Sequence, residues 1–478
     1  MRLNAGIFIP LTVVLANLVT FAIQLLVPRF LVPAEYATFA TGWATGQFMA
    51  SLCFEWIRFG VIRYSVSTDR DLTKRRLTAL RFFYSLMTAA LLVMALAAVL
   101  IGTSLGTTGF LLGGAILFYA VCQGSFDGGV ALVRAQGYDR TFLIGWISRA
   151  VLSLAIVAIT VMATGSGLLG LAALGLSYFL ALLVVRLRGG GLPRLDSPVD
   201  RATALALARY GVFAAAGVAI ANFLPALVRL FLLRWGAADE AGGVLLALDM
   251  SQKAILALGM AINIVLVRRS IRSAEFHDAG EQARQNALQI SVPLALLLPA
   301  TAGFYLVQAS FGHYFVPPAY AGSYYEAIGW ATLAAGLMAF RLYGLDPLFA
   351  VVERSALSIA GPAISILVAC GWIFGLGYWR GFDAMLIVHG TVAGLLAGLI
   401  VSAALVWRLG KVASLWRNIA AVGLATGAMT LAVLPVQMPS PLAEMVVRMG
   451  VGGGIFLLVA VTADLFGTRG WVLARLRR

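Results

Sequence analysis

The chain has 478 residues, of which 61% are hydrophobic and only 12% are charged, and its mean hydropathy is +0.94. A soluble protein of this size could not hide so much apolar surface, because its exterior still has to face water. The net charge of +15 could point to nucleic acid. In a membrane protein it more often reports the orientation of the loops, so nucleic acid is not expected as a partner.

Long apolar runs recur along the chain and predict an all-α polytopic membrane protein with about 14 transmembrane helices. The first run exceeds the apolar region of a signal peptide and no A-x-A-like site closes it, so we interpret it as a retained span. The cysteines lie inside apolar runs and the three histidines lie far apart, so neither a disulfide nor a metal site is predicted. The predicted spans are 5–27, 36–62, 82–103, 110–133, 141–164, 166–187, 206–233, 243–266, 286–310, 326–352, 356–377, 383–407, 417–435 and 445–466.

The second predicted span contains two opposite charges. Glu55 and Arg58 are three residues apart, so they share a helical face and can pair. Arg58 can extend toward the inner headgroups, whereas Glu55 is about 12 Å from the end of the span and needs a partner or water. A fixed structural pair and a role in transport are both compatible with this spacing.

The widest polar break, RLRGGGLPRLDSPVDR at residues 186–201, follows the sixth span and is typical of a cytoplasmic linker. It divides the chain into four predicted parts. These are an N-terminal six-helix bundle (1–187), a cytoplasmic linker (188–205), a C-terminal six-helix bundle (206–407), and two additional helices with a basic cytoplasmic tail (408–478).

The two halves also resemble each other in sequence, since Asn222 follows Asn17 by 205 positions and other polar residues match at the same offset. A larger offset pairs Asp127 with Asp346. We interpret this as a parallel repeat that forms two pseudo-symmetric bundles, with a site between them near mid-membrane, as in many transporters. Chance combined with shared topology is the alternative. The further matches are Arg29 with Arg234, Glu35 with Glu240, Gln47 with Gln252, Arg63 with Arg268 and Ser65 with Ser270.

The distribution of basic residues favours an even number of spans with both termini in the cytoplasm. Most of the 35 Lys and Arg residues lie in segments that this arrangement places inside. The segments that it places outside hold Arg29, Arg234, Arg380 and Arg448.

Five cations lie within predicted spans, and Lys253 in the eighth span is the most informative of them. It is close to the midplane, four residues after Asp249, so it should face a protein interior or a wet cavity. A cavity lined by Lys and Arg suits an anionic solute, especially phosphate, which Arg can bind through two hydrogen bonds. The predicted substrate-binding residues are Arg58, Arg149, Arg229, Lys253 and Arg341.

Four acidic residues within spans are predicted to serve in ion coupling or charge pairing, namely Glu55, Asp127, Asp249 and Asp346. Asp127 and Asp346 could carry H⁺ or Na⁺, or could simply neutralise Arg149 and Arg341, and the sequence favours neither role.

The sequence contains no Walker-type phosphate loop, no G-x-S-x-G elbow and no HExxH pair. We therefore expect neither an enzyme nor a bound cofactor, and we expect an ion gradient or consumption of the product to drive the process.

Three segments carry a recognisable pattern: RFLVPAEYATFA (29–40), EWIRFGVIRY (55–64) and VRAQGYDRTFLIG (133–145). The first resembles the R-x-L-x-P-x-E-Y-G pattern after the first span of polysaccharide-export flippases. These are the Wzx-like family of the multidrug/oligosaccharidyl-lipid/polysaccharide (MOP) exporter superfamily. The other two segments resemble the inner ends of that family's second and fourth spans. Ala37 replaces the Gly of the pattern, and the second half keeps only Arg234 and Glu240 of it.

The resemblance implies a transporter that turns a polyprenyl-diphosphate-linked oligosaccharide from the inner to the outer leaflet of a bacterial inner membrane. Its product would enter lipopolysaccharide, capsule or exopolysaccharide biosynthesis, and its partners would include a polysaccharide polymerase or glycosyltransferases. The proposed mechanism is alternating access by rocking of the two bundles, with H⁺ or Na⁺ as the coupling ion. The five cations would hold the diphosphate and sugar while the polyprenyl tail stays among the membrane lipids.

Two other functions are compatible with the sequence. A cation-coupled drug or small-molecule exporter of the same superfamily would want acidic and aromatic residues in its cavity, and the cationic excess disfavours it. A membrane O-antigen polymerase or ligase would resemble its relatives in having a large outer loop with catalytic Arg or His. The longest predicted outer loop, 311–325, has His313 and no Arg.

Overall fold

The structure is a computed structural model and describes the chain apart from residues 1–4, 65–69, 189–199, 276–278, 353, 410–411, 413–414 and 466–478. Most of the predicted linker 188–205 and the predicted basic tail lie outside the described residues. Ser65, one of the predicted repeat matches, also lies outside them.

The described residues form α-helices joined by short turns and include no β-strand. Long apolar segments form helices because a spanning backbone must satisfy its own hydrogen bonds. The chain divides into two compact units, Met1–Leu245 and Leu246–Arg478. The helices up to residue 235 are α1 (Ala5–Leu26), α2 (Pro33–Ala50), α3 (Trp56–Tyr64), α4 (Arg70–Leu105), α5 (Thr108–Ala135), α6 (Asp139–Thr164), α7 (Gly167–Leu187) and α8 (Arg201–Trp235). The helices that follow are α9 (Ala238–Glu275), α10 (Ala279–Phe315), α11 (Ala321–Phe340), α12 (Asp346–Val351), α13 (Ala360–Arg380), α14 (Ala384–Arg408), α15 (Trp416–Val433) and α16 (Pro441–Thr462).

Two of the membrane helices contain a π-helical turn. Ser51–Glu55 connects α2 to α3, and Arg341–Leu345 connects α11 to α12. When each connected pair is counted as one helix, the described residues form fourteen helices, which confirms the predicted all-α fold class. Eleven helices in the described part are long and apolar enough to span a membrane by length and composition. The protein is therefore a multi-pass membrane protein.

In the first unit, segment 29–40 connects the N-termini of α2 and α7 through a hydrogen bond. The Glu35 carboxylate in the first turn of α2 accepts a 2.6 Å hydrogen bond from the backbone N–H of Gly167, the first residue of α7. A side chain at Gly167 would overlap the Glu35 carbonyl oxygen, so this approach requires glycine. The acid of the pattern therefore has a structural role here, because it neutralises the positive end of α7.

The seventh membrane helix packs within the first unit. Helix α8 lies against α2 and α3, and Phe48 and Phe223 contact each other with ring centroids 5.0 Å apart. The two compact units divide inside α9, between Leu245 and Leu246. The sequence repeat and the boundaries 1–187, 206–407 and 408–478 stay predictions.

In the second unit, α13 packs closely against α14, and α10 contacts α11, α15 and α16. The close packing of α13 and α14 depends on small residues: a side chain at Gly398 would lie 2.5 Å from the Gly361 carbonyl oxygen. Asp383 caps α14 by accepting a 2.6 Å hydrogen bond from the backbone N–H of Leu386. Gly381, with φ of 85°, ends α13 in a conformation that favours glycine.

Candidate functional site

The π-helical turn Ser51–Glu55 positions the two charges of the second membrane helix. Glu55 is the last residue of the turn, and Arg58 follows one helical turn later on α3. The Arg58 guanidinium donates to the Glu55 carboxylate, and the side chains are 35% and 12% exposed. The ion pair that the spacing allows is therefore formed.

Helix α5 brings a second carboxylate, Asp127, to this ion pair. Asp127 interacts electrostatically with Arg58 and with Arg149 of α6, and its carboxylate also contacts the Gln123 amide. A cavity of about 20 Å³ lies between these groups. We call its polar lining the first-unit cluster, which consists of Ser51, Glu55, Arg58, Tyr84, Gln123 and Asp127.

Two glycines of α5 allow the neighbouring helices to close around Asp127. A side chain at Gly124 would overlap the Phe54 ring, and one at Gly128 would overlap the Tyr84 hydroxyl group. The Phe54 and Tyr84 rings stack at a centroid distance of 5.7 Å. The small residues on either side of Asp127 thus let two aromatic rings reach the cluster.

Arg149 lies beside the cluster in an aromatic setting. Only 8% of the residue is exposed, and its guanidinium carbon lies 4.3 Å from the centroid of the Trp146 ring. Its Nη1 donates a 3.1 Å hydrogen bond to the Tyr178 hydroxyl, while Nη2 has no hydrogen-bond partner among the described residues. Aromatic faces stabilise a buried cation without neutralising it. Arg149 therefore keeps a positive charge available next to Asp127.

Helix α8 meets the cluster through an amide. The Asn222 side chain donates a 2.8 Å hydrogen bond to the Ser51 hydroxyl at the start of the π-helical turn. The predicted Arg229 lies further along α8, is 4% exposed, and donates from Nη1 to the Pro225 carbonyl of its own helix at 2.9 Å. Arg229 is thus engaged with its own helix, seven residues beyond Asn222.

In the second unit, the π-helical turn Arg341–Leu345 begins at an arginine, and Asp346 follows the turn directly. Arg341 is 2% exposed, and its Nε lies 3.6 Å from Oδ2 of Asp346. Its Nη1 donates a 3.0 Å hydrogen bond to the Ser365 hydroxyl of α13. Sequence reasoning identified the arginine and the aspartate but missed Ser365, because α13 carries no charge pattern that would point to it. We call Arg341, Asp346 and Ser365 the second-unit pair site.

The remaining predicted residues, Asp249 and Lys253, lie on α9 in the second unit. Asp249 is 5% exposed and Lys253 is partly buried. The structure therefore brings together Glu55, Arg58, Asp127 and Arg149 in one unit, and Arg341 with Asp346 in the other. The convergence of the five predicted cations on one chamber stays a prediction.

An apolar cavity of about 500 Å³ in the second unit was not predicted. It lies between α9, α10, α15 and α16, and small residues such as Gly303, Gly452 and Gly453 leave the space for it. Arg448 is the charged residue on its wall. That guanidinium pairs with Glu444 at 2.8 Å and donates to the Leu306 carbonyl at 2.6 Å. The spaced glycines of α10 and α16 were its only signal in the sequence.

Comparisons with solved structures show which proteins share this fold. The chain superposes on the lipid II flippase MurJ in an inward closed conformation with a TM-score of 0.73 and 9% identity, covering 95% of this chain and 98% of that one. An inward-facing multidrug resistance MATE transporter of the MOP superfamily matches with a TM-score of 0.65 and 13% identity, over 84% and 96% of the chains. The eukaryotic MATE transporter AtDTX14 gives 0.57, with 13% identity over 88% and 97%.

At the level of sequence, no protein-family model and no curated protein matches the chain. The structural likeness shows that the chain has the fold of MOP-superfamily transporters.

Proposed function

We propose that this protein flips a polyprenyl-diphosphate-linked oligosaccharide from the inner to the outer leaflet of a bacterial inner membrane, as a step in surface polysaccharide biosynthesis. Transport would proceed by alternating access, with both termini in the cytoplasm. The flippase-like segment 29–40 and the transporter fold both support this proposal. No chemical step is required of the protein, since the substrate only changes leaflet.

The observation that carries the proposal is that three of the four acids predicted to lie within spans interact with arginine. Glu55 pairs with Arg58, Asp127 faces Arg58 and Arg149, and Asp346 pairs with Arg341. A cationic substrate would meet carboxylates that already have counter-charges. A diphosphate would instead be attracted to Arg149, whose charge is held on an aromatic wall, and could exchange with a carboxylate at Arg58.

The apolar cavity of the second unit supports a substrate with a hydrocarbon part. Its volume of about 500 Å³ lies within the usual range for ligand pockets. Its single charged side chain, Arg448, is already bonded to Glu444 and to backbone carbonyls. The start of a prenyl chain could enter this cavity at little cost, because the cavity wall is as apolar as the lipid tails that the chain would leave.

A reconstitution experiment tests the proposal directly. The purified chain is placed in vesicles that contain a short polyprenyl-diphosphate sugar with a fluorescent label, and a membrane-impermeant quencher reports the leaflet of the headgroup. Labelled headgroups in the inner leaflet are protected from the quencher. We expect this protected fraction to fall faster in vesicles that contain the protein than in empty vesicles, and an unlabelled diphosphate-linked sugar to slow the fall by competition. Exchange no faster than in empty vesicles, together with accumulation of a cationic dye such as ethidium, would reject the proposal.

Lys253→Ala is expected to abolish surface polysaccharide in cells while leaving the protein inserted in the membrane. In vesicles, the headgroup exchange should fall by about tenfold or more, because a hydrogen bond to a charged group contributes about 1.5–3 kcal/mol. Lys253→Arg keeps the charge and serves as the control. Normal polysaccharide in the alanine variant would remove Lys253 from the mechanism.

A cation-coupled small-molecule exporter is the second candidate. The feature that favours it is the pair of carboxylates, Glu55 and Asp127, on the wall of one cavity, combined with a fold shared with MATE transporters. The dye arm of the vesicle experiment decides between the two candidates.

A further inference from the structure

The first-unit cluster contains a space and polar groups that its ion pair does not use. A cavity of about 20 Å³ can hold one water molecule. Tyr84 is only 6% exposed, and its hydroxyl lies on the cavity wall without a hydrogen-bond partner in the described part of the chain. The side-chain carbonyl oxygen of Gln123 lies on the same wall and also has no hydrogen-bond partner among the described residues. Buried polar groups normally have a partner, so these two indicate an occupant that the ion pair does not supply.

The charged groups at or near the cavity come from the first π-helical turn and from helices α3, α5 and α6. Helix α3 supplies Arg58, with Glu55 directly before it, α5 supplies Asp127, and α6 supplies Arg149 beside Asp127. Helix α4 contributes the neutral phenol of Tyr84, and α8 contributes the amide of Asn222 through Ser51. Two carboxylates thus face two guanidinium groups, and Arg58 is the cation that interacts with both acids.

We propose that Glu55 and Asp127 form a proton-binding site that controls whether Arg58 is available to a phosphate headgroup. This inference rests on the proposed function, because it takes the diphosphate as the anion. With both acids ionised, Arg58 is held in the cluster. When one acid binds a proton, the cluster and the neighbouring Arg149 together have one uncompensated positive charge, and an incoming phosphate oxygen replaces the lost carboxylate at Arg58.

The energetics favour joint binding of the proton and the phosphate. An uncompensated charge within the membrane is costly, so protonation alone is disfavoured. A dianionic headgroup that enters while both acids are ionised is repelled by them. Together the two ligands remove both costs, and by linkage each raises the affinity for the other by the same factor. The water-sized cavity and the Tyr84 hydroxyl provide hydrogen-bonding groups along which the proton can reach the acids.

Calorimetry on the full chain in detergent micelles tests this coupling. Farnesyl diphosphate is the probe, and titrations in buffers of different ionisation enthalpy give the number of protons taken up per bound ligand. We expect about one proton beyond the uptake of the Glu55→Gln, Asp127→Asn double variant. Wild-type affinity should rise by up to about tenfold per unit fall in pH relative to that variant. Inorganic diphosphate should show the same proton uptake with weaker binding, because it lacks the prenyl tail.

The controls distinguish a failure of this inference from a failure of the proposed function. The ligand's own titration is the same for every variant, and Glu326→Gln, which removes an exposed carboxylate on α11, should behave as wild type. Should the double variant fail to fold, each single variant keeps one acid beside Arg58 and carries the same comparison. Equal proton uptake by wild type and these variants would overturn the inference alone. No binding of farnesyl diphosphate by wild type would overturn the proposed function with it.

Discussion

The two π-helical turns present similar charges in different surroundings. At the first turn, the Arg58 side chain is 35% exposed and lies beside a cavity with a second carboxylate, Asp127. At the second turn, Arg341 is 2% exposed and is enclosed by Asp346 and the Ser365 hydroxyl. One arginine therefore has alternative partners, whereas the other has a fixed one.

The packing of the adjacent helices explains the difference. Around Arg341, Gly361 lets α13 pack so closely against α14 that a side chain there would overlap the Ser402 hydroxyl group. The same added carbon would be in ordinary van der Waals contact with Cδ of Arg341. Around Arg58, the rings of Phe54 and Tyr84 pack against Gly124 and Gly128 of α5, and a cavity of about 20 Å³ remains beside them. A sealed ion pair acts mainly on stability, while an ion pair beside a cavity can change partners and so take part in transport.

Arg341→Met should have the largest effect on stability. It leaves the Asp346 carboxylate buried without a counter-charge, and we expect the free energy of unfolding to fall by about 3–5 kcal/mol. Denaturation in detergent micelles measures the loss. Adding Asp346→Asn should restore most of the lost free energy of unfolding. A double variant as unstable as Arg341→Met would contradict the description of Arg341 and Asp346 as a sealed ion pair. Transport by the double variant then tests whether Arg341 also binds substrate.

Gly398→Ala should have an intermediate effect, because the new side chain meets the Gly361 carbonyl and Ser365. Overpacking of this kind costs about 1–3 kcal/mol. Gly371→Ala on the partner helix α13 is the matched control, since nothing lies within 4 Å of the added carbon. That control should gain up to about 1 kcal/mol from helix propensity. Equal effects of the two substitutions would show that α13 and α14 are less closely packed than described.

Glu55→Gln should destabilise the protein less than Arg341→Met does, because Asp127 remains near Arg58 as a counter-charge. Headgroup exchange in vesicles should nevertheless fall severalfold, since one of the two acids that control Arg58 is lost. Denaturation and exchange are measured on the same preparation. A stability loss near that of Arg341→Met would mean that the first-unit cluster is as sealed as the second-unit pair site.

Much of this organisation follows from local sequence. Fourteen apolar runs predict fourteen membrane helices because only a helix satisfies its backbone within lipid. The pairing of Glu55 with Arg58 follows from their spacing on one helical face. The electrostatic interaction between Asp127 and Arg149 depends on how α5 and α6 pack, which no spacing along the chain determines.

Other features of the structure could not be predicted from the amino-acid sequence. The π-helical turns occur in segments whose composition does not differ from ordinary helix, and Ser365 is a single hydroxyl in an apolar run. Glu35 was recognised as part of a flippase-like pattern, yet its hydrogen bond to Gly167 joins residues 132 positions apart. Such contacts depend on which helices become neighbours, and hydrophobic periodicity does not encode that choice.

The amino-acid sequence alone predicted a multi-pass membrane protein of about 14 helices and identified the charges inside its apolar segments, because both depend on the transfer of local segments from water to hydrocarbon. Tertiary structure decided which of those charges are sealed and which face a cavity. That outcome depends on the shapes that helices distant in sequence present to one another, and a glycine or an aromatic ring in the right place is enough to change it.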